Sequence, residues 1–92
     1  MRFRMNMIFY IRKHVLGLTQ KQLAAEISVN QTTVSRCERE GADEKLPSSG
    51  FLNFIDLVTD KTDFELPAIW YFKPPSETEI KAQFGRYEKP AQ

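Results

Sequence analysis

Apolar residues recur along the first half of the chain with the period of a helix. Ile8, Ile11 and Val15 stand at i, i+3 and i+7, with Phe9 and Leu16 widening the stripe, so the spacing predicts a first helix over residues 5–16. Gly17 suits the left-handed residue that closes such a helix. Thr19, followed three residues later by Gln22, is a capping box; it predicts a second helix over residues 20–27 with Leu23, Ala24 and Ile27 on one face. Asn30 is an expected N-cap for a third helix over residues 31–39, which buries Val34 and Cys37 and is closed by Gly41. A charged loop over residues 42–47 leads to Ser48 or Ser49, either able to cap a fourth helix whose apolar face is Phe51, Phe54, Ile55 and Val58.

The pattern then weakens. Phe64, Leu66 and Ile69 predict a short fifth helix or turn, with Pro67 confined to its first turn. Ile69-Trp70-Tyr71-Phe72 reads as a strand-like aromatic run that stops at Pro74-Pro75. Beyond Ser76 the chain is polar and charged, which fits either a weak helix over residues 77–84 or a mostly disordered tail. The expected organisation is therefore an all-α domain over residues 1–70, followed by an extension over residues 71–92 that combines a dimerisation strand with a flexible tail.

Composition narrows the class. The chain has 92 residues, 41% hydrophobic and 27% charged, which suits one soluble globular core. No apolar run approaches the roughly 18 residues of a membrane-spanning helix. Arg12, Lys13 and His14 interrupt the apolar start before a secretory hydrophobic stretch develops, so a cytoplasmic location is expected. Cys37 is the single cysteine, which fits a reducing compartment. The net charge of +1 hides an asymmetry: residues 1–40 sum to +4 and residues 41–92 to −3. A basic front and an acidic rear are compatible with one surface that faces DNA and one that avoids it.

The segment from Leu18 to Glu38 carries the chemistry. Ala24 supplies the small residue that two steeply crossed helices need at their contact, and Ser28 the small residue of a tight turn. Val29 and Val34 fill the space between the helices, while Leu23 and Ile27 face the first helix. Gln31, Thr32, Ser35 and Arg36 are left on the outer face of the third helix. Glutamine pairs bidentately with adenine, arginine with guanine, and threonine offers a methyl to thymine or a hydroxyl to other bases. The helix N-terminal amides at Gln20 and Gln31 suit phosphate.

Leu18-Thr19-Gln20, Leu23-Ala24, and then Val29, Gln31, Thr33-Val34-Ser35-Arg36 and Glu38 form a string that resembles the Cro and phage-repressor helix-turn-helix, the xenobiotic-response-element family. The resemblance extends from about Phe9 to Phe64 and implies a lambda-repressor-like five-helix DNA-binding domain. It implies that Gln31, Thr32 and Arg36 face bases, and that Thr33 and Ser35 lie near the DNA backbone. Gln20 would bond a phosphate and buttress Gln31, with Lys21 a further phosphate contact, and Lys13 would pair with Glu38. Three departures stand out: Ser28 replaces the usual turn glycine, Cys37 a larger apolar residue, and Asp43 and Glu44 place acid in a loop where relatives often contact phosphate.

Other chemistries find little footing. With one histidine, His14, and one cysteine, no metal site or cofactor is expected, and no nucleophile elbow, phosphate loop or carboxylate pair points to an enzyme. Six of the eleven aromatic residues lie between positions 51 and 72; Phe51, Phe54 and Phe64 suit a core, and Trp70, Tyr71 and Phe72 are expected to form a dimer contact. A second copy is also expected because one recognition helix reads too few base pairs for a specific site. The expected function is a Cro-like repressor that binds a double-stranded DNA operator as a homodimer. An antitoxin that uses the C-terminal tail to hold a toxin, a restriction-modification controller protein, and a protein-interaction module without DNA binding are the alternatives.

Overall fold

The computed structural model describes residues 6–39, 45–73 and 75–87. Helix α1 starts at Asn6, whose side-chain Oδ1 accepts the Ile8 and Phe9 amides at 2.7 and 3.2 Å. The other end of the same side chain donates to the Cys37 carbonyl at 2.9 Å, so this cap also ties α1 to the third helix. After one α-helical turn, Met7–Tyr10, the helix widens into a π-helical stretch, Ile11–Leu16. Ile8, Ile11 and Val15 are buried as their spacing predicts; Met7, Tyr10 and, unexpectedly, Arg12 are buried with them. Gly17 ends the stretch in the left-handed conformation (φ 69°, ψ 34°), which costs glycine little.

Helix α2, Gln20–Ile27, begins with the predicted capping box: Thr19 Oγ1 accepts the Gln22 amide at 3.0 Å, and Gln22 Oε1 accepts the Thr19 amide at 2.9 Å. Ser28 turns the chain at φ 60° and ψ 46°, taking up the left-handed geometry that a glycine would hold with less strain. Helix α3, Gln31–Glu38, buries Val34 and Cys37. Its last helical residue is Glu38; Arg39 is already extended, and Gly41, expected to close the helix, lies outside the described residues. Asn30 holds the N-cap position, but its side chain makes no cap hydrogen bond.

Helix α4, Ser48–Thr62, presents Phe51, Phe54, Ile55 and Val58 to the core as expected. The cap position belongs to Pro47 rather than to either serine, because Ser48 and Ser49 are already helical. Proline serves at this boundary through its fixed φ of −56°. Gly50, in the first turn of α4, is buried against the α2–α3 turn: a Cβ built there would lie 2.8 Å from Val29 Cγ1. This close approach sets α4 against the helix-turn-helix.

One expectation for the C-terminal third is corrected. The aromatic run is a 3₁₀ turn, Ala68–Tyr71, and no strand occurs among the described residues. The Pro67 carbonyl accepts the Trp70 amide at 3.0 Å and starts the turn, which sends Trp70 inward beside Phe64 (ring centroids 6.1 Å apart). Tyr71 packs on Phe51 at 5.0 Å, and its hydroxyl donates to the Leu46 carbonyl at 2.6 Å. A lone strand here would have no edge to pair with, whereas the turn satisfies its own backbone.

The fifth α-helix, α5, spans Glu77–Phe84, as the helical alternative for the tail has it, while Ile69 falls in the turn. Its capping box joins Ser76 and Glu79, and Ile80 and Phe84 are completely buried. Phe84 meets Phe64 edge to face at 5.1 Å. Ile80 and Phe84, with Tyr87 packed against them, thus belong to the same core cluster as the residues of α1–α4. Among the described residues five α-helices form an all-helical fold with a Cα radius of gyration of 12.2 Å, against about 12 Å for a single domain of this length.

Candidate nucleic-acid interface

Helix α3 is fastened from one side. Val34 and Cys37, 0% and 3% exposed, bury its inner face. On the other side Gln31, Thr32 and Arg36 are exposed, and Thr33 and Ser35 are half-buried at the margins. The residues expected to read bases and to lie near the backbone therefore share one helix, with Lys21 exposed and Gln20 half-buried on the neighbouring α2. At the start of α3 the Asn30 carbonyl accepts the Thr33 and Val34 amides at 3.0 and 3.3 Å. With no side-chain cap from Asn30, the first amides of this helix keep the partial positive charge that favours an anion.

The ion pair that orients α3 differs from the expectation. Arg12, not Lys13, pairs with Glu38: its Nε donates to Oε2 at 2.6 Å and its Nη2 to Oε1 at 3.0 Å. Arg12 Nη1 donates to the Leu18 carbonyl at 2.8 Å. The reason lies in the helical period. Arg12 is four residues after Ile8 and three before Val15, on the buried stripe of α1, while Lys13 projects to solvent with its Nζ 5.4 Å from the Phe9 ring centroid. Both charged side chains of the pair are withdrawn from water, 10% and 4% exposed, and no buried side-chain nitrogen or oxygen among the described residues lacks a hydrogen-bond partner. A fork-to-fork pair of this kind fixes direction as well as distance.

Gln20 joins the same carboxylate, donating from Nε2 to Glu38 Oε1 at 3.0 Å. This is the bond the structure gives its side chain, in place of the expected support of Gln31. Ser28 and Cys37, the departures within the motif, are accommodated: Ser28 by a left-handed backbone, and Cys37 by burial with its carbonyl held by Asn6. Asp43 and Glu44 lie outside the described residues, and Lys45 beside them is exposed.

The expected dimer contact is corrected in composition. Trp70 is 8% exposed and belongs to the core, and Tyr71 is half-buried between Phe51 and Leu46. Phe72 keeps the exposed character expected of it, at 69%, and Ile69 joins it at 55%. Their pairing follows from the turn: in a 3₁₀ helix residues i and i+3 eclipse, so Ile69 and Phe72 stand one above the other on the outside. The strand expected here would instead have put Ile69 on the opposite face from Phe72.

His14 sits half-buried among the rings of Phe9 and Tyr10, with centroids 6.1 and 5.4 Å away. Among the described residues no group of three or more histidine, cysteine or acidic side chains gathers where a metal ion could be held, and no helix is long and apolar enough to cross a membrane. Compared with protein-family models, curated proteins and solved structures, the chain matches none of them.

Proposed function

We propose that this chain is a sequence-specific DNA-binding regulator of the Cro-like kind, acting in the cytoplasm, which lays α3 in the major groove of an operator. The observation that carries the reading is the division of labour on α3. Val34, Cys37 and Glu38 hold the helix to the core, and Gln31, Thr32 and Arg36 stay outside it on the exposed face. Those three side chains have the donor and acceptor sets that distinguish base edges. Lys21 and the open amides of α3 supply the sequence-independent attraction to phosphate, with Gln20, Thr33 and Ser35 beside them. Repression then follows from occupying DNA that polymerase needs.

A second copy completes the site, because a single eight-residue helix reads only a few base pairs. Ile69 and Phe72 are the contact we assign to it. Two side chains per copy cover far less than the roughly 800 Å² per partner of a stable interface, so pairing is expected on adjacent half-sites and not in free solution. The antitoxin alternative is not favoured by α5: its apolar residues Ile80 and Phe84 are committed to the core, which leaves that helix a polar outer face.

The test is a titration against duplex from the upstream region of the protein's own gene, with random duplex as competitor. Arg36→Ala is expected to lose about 1–3 kcal/mol at the specific site and to relax preference at one base pair. Lys21→Ala is expected to weaken all sequences alike and to lower the salt slope by about one. Equal losses for Arg36→Ala on specific and random duplex would remove its base-reading role. No affinity for any duplex, at low salt, would refute the proposal and leave a protein-interaction module.

A further inference from the structure

The hydroxyl of Tyr71 ties the C-terminal turn to the segment between α3 and α4. It donates to the Leu46 carbonyl at 2.6 Å, across 25 positions of sequence. Leu46 is buried and stands just before Pro47, the N-cap of α4. Leu46 Cβ and Val29 Cγ1 both border Gly50, so the residue that Tyr71 holds packs where α4 meets the α2–α3 turn. The Tyr71 ring lies on Phe51 and meets Phe72 edge to face, with centroids 5.1 Å apart. Phe72 is exposed and Tyr71 half-buried, so this hydrogen bond lies near solvent, with Phe72 beside its donor. Water competes with such a bond, and a bond shielded from water is electrostatically stronger.

We infer that Tyr71 couples the pairing of two copies to the hold of each copy on DNA. A second copy laid over Ile69 and Phe72 shields the Tyr71–Leu46 bond from water. The strengthened bond braces the connector after α3 against α4 and the α2–α3 turn, and so steadies the helix that enters the groove. By linkage, DNA that needs α3 held in place favours the paired arrangement by the same factor. The inference rests on the DNA-binding reading above and on the second copy assigned there. Tyr71 is in these terms a positioning residue: it acts through the connector and needs no contact with DNA. A purely structural hydroxyl would stabilise each copy alike and leave their cooperativity unchanged.

The experiment compares the full-length wild type with Tyr71→Phe, which removes the hydroxyl and leaves the ring, Ile69 and Phe72 in place. The probes are duplexes that the wild type selects from a random pool, one with two adjacent half-sites and one shortened to a single half-site. Cooperativity is read as the ratio of second-copy to first-copy affinity. In Tyr71→Phe this ratio is expected to fall about fivefold, within the range of one neutral hydrogen bond. Affinity for the single half-site should fall by less than the ratio does. An unchanged ratio, or a loss that is larger at the single half-site, overturns the inference and leaves the DNA-binding reading intact. So does a wild type that binds duplex without cooperativity, while one that selects no duplex overturns both. The wild type with labelled leucine carbonyls supplies a second check by NMR. The Leu46 carbonyl resonance should move when a second copy joins the two-half-site duplex, beyond its position on the single half-site. A resonance that takes no such step overturns the inference even if Tyr71→Phe fails to fold.

Discussion

Glycine in the first turn of a long helix ordinarily invites replacement, and Gly50 is where that expectation should reverse. Alanine in place of glycine in a helix gains up to about 1 kcal/mol from propensity. At Gly50 the new Cβ would lie 2.8 Å from Val29 Cγ1, while Pro47 Cδ at 3.6 Å and Leu46 Cβ at 4.0 Å leave ordinary contact distances. Val29 cannot swing away cheaply, because a β-branched side chain has few rotamers and sits next to the strained Ser28 turn. Overpacking of this kind costs about 1–3 kcal/mol, so Gly50→Ala should be a net loss of about 1 kcal/mol, or a fall of roughly 4–8 °C in a domain of this size. Thermal and urea melts of Gly50→Ala measure it, and the Val29→Ala background decides the cause. With the opposing methyl groups gone, Gly50→Ala should turn from destabilising to neutral or stabilising. A Gly50→Ala protein more stable than wild type, or a loss that persists in the Val29→Ala background, would refute the close approach of α4 to the helix-turn-helix turn.

Arg12→Ala leaves the Glu38 carboxylate buried without its cation and should cost about 3–5 kcal/mol, whereas Lys13→Ala should stay within about 0.5 kcal/mol; equal melts for the two would restore the pairing expected from the sequence. Phe84→Ala opens a cavity under Phe64 and should cost about 3–5 kcal/mol by urea denaturation, and a truncation before Ser76 should not fold as a stable domain; a truncated chain that melts like wild type would show that α5 is dispensable. Sedimentation at tens of micromolar should find a monomer, and Phe72→Asp should remove cooperativity between adjacent half-sites while half-site affinity stays within about twofold; a dimer in free solution that survives Phe72→Asp would place the interface elsewhere.

What could be read from the sequence was what neighbouring residues decide among themselves. The Thr19 and Gln22 capping box closes within four residues, and the burial of Leu23, Ala24, Ile27, Val34 and Cys37 follows from helical spacing alone. The capping signal at Ser76 and Glu79, followed by Ile80 and Phe84 at i+4 spacing, belongs to the helix read over residues 77–84, but the polar composition around it left a disordered tail equally open. The burial of that helix depends on Phe64, which is 20 residues away in sequence. Trp70 and Tyr71 have strand-forming composition, and their turn is decided by partners that local pattern does not reveal: Phe64 for one ring, Phe51 and the Leu46 carbonyl for the other. Asn30 shows the converse, a residue of the right type at the right position whose side chain does not cap.

Arg12 is the most instructive case, because its signal was present and carried the wrong sign. Its position on the α1 stripe, between Ile8 and Val15, is that of a core residue, yet a charge there is ordinarily assigned to solvent. Burial becomes tolerable only because Glu38 arrives from the end of α3 and Leu18 and Gln20 complete the bonding. A charge on an apolar stripe therefore implies a buried counter-charge elsewhere in the chain, and the acidic residues available in the first 40 positions are Glu26, Glu38 and Glu40. Glu26 lies on the exposed side of α2, which narrows the choice to the end of α3. An ion pair formed there fixes the orientation of α3 from its C-terminal end. Of the residues proposed to read DNA, Gln31 and Thr32 lie at the other end of the helix and outside the core, where substitutions can alter base preference without disturbing the pair that aims the helix.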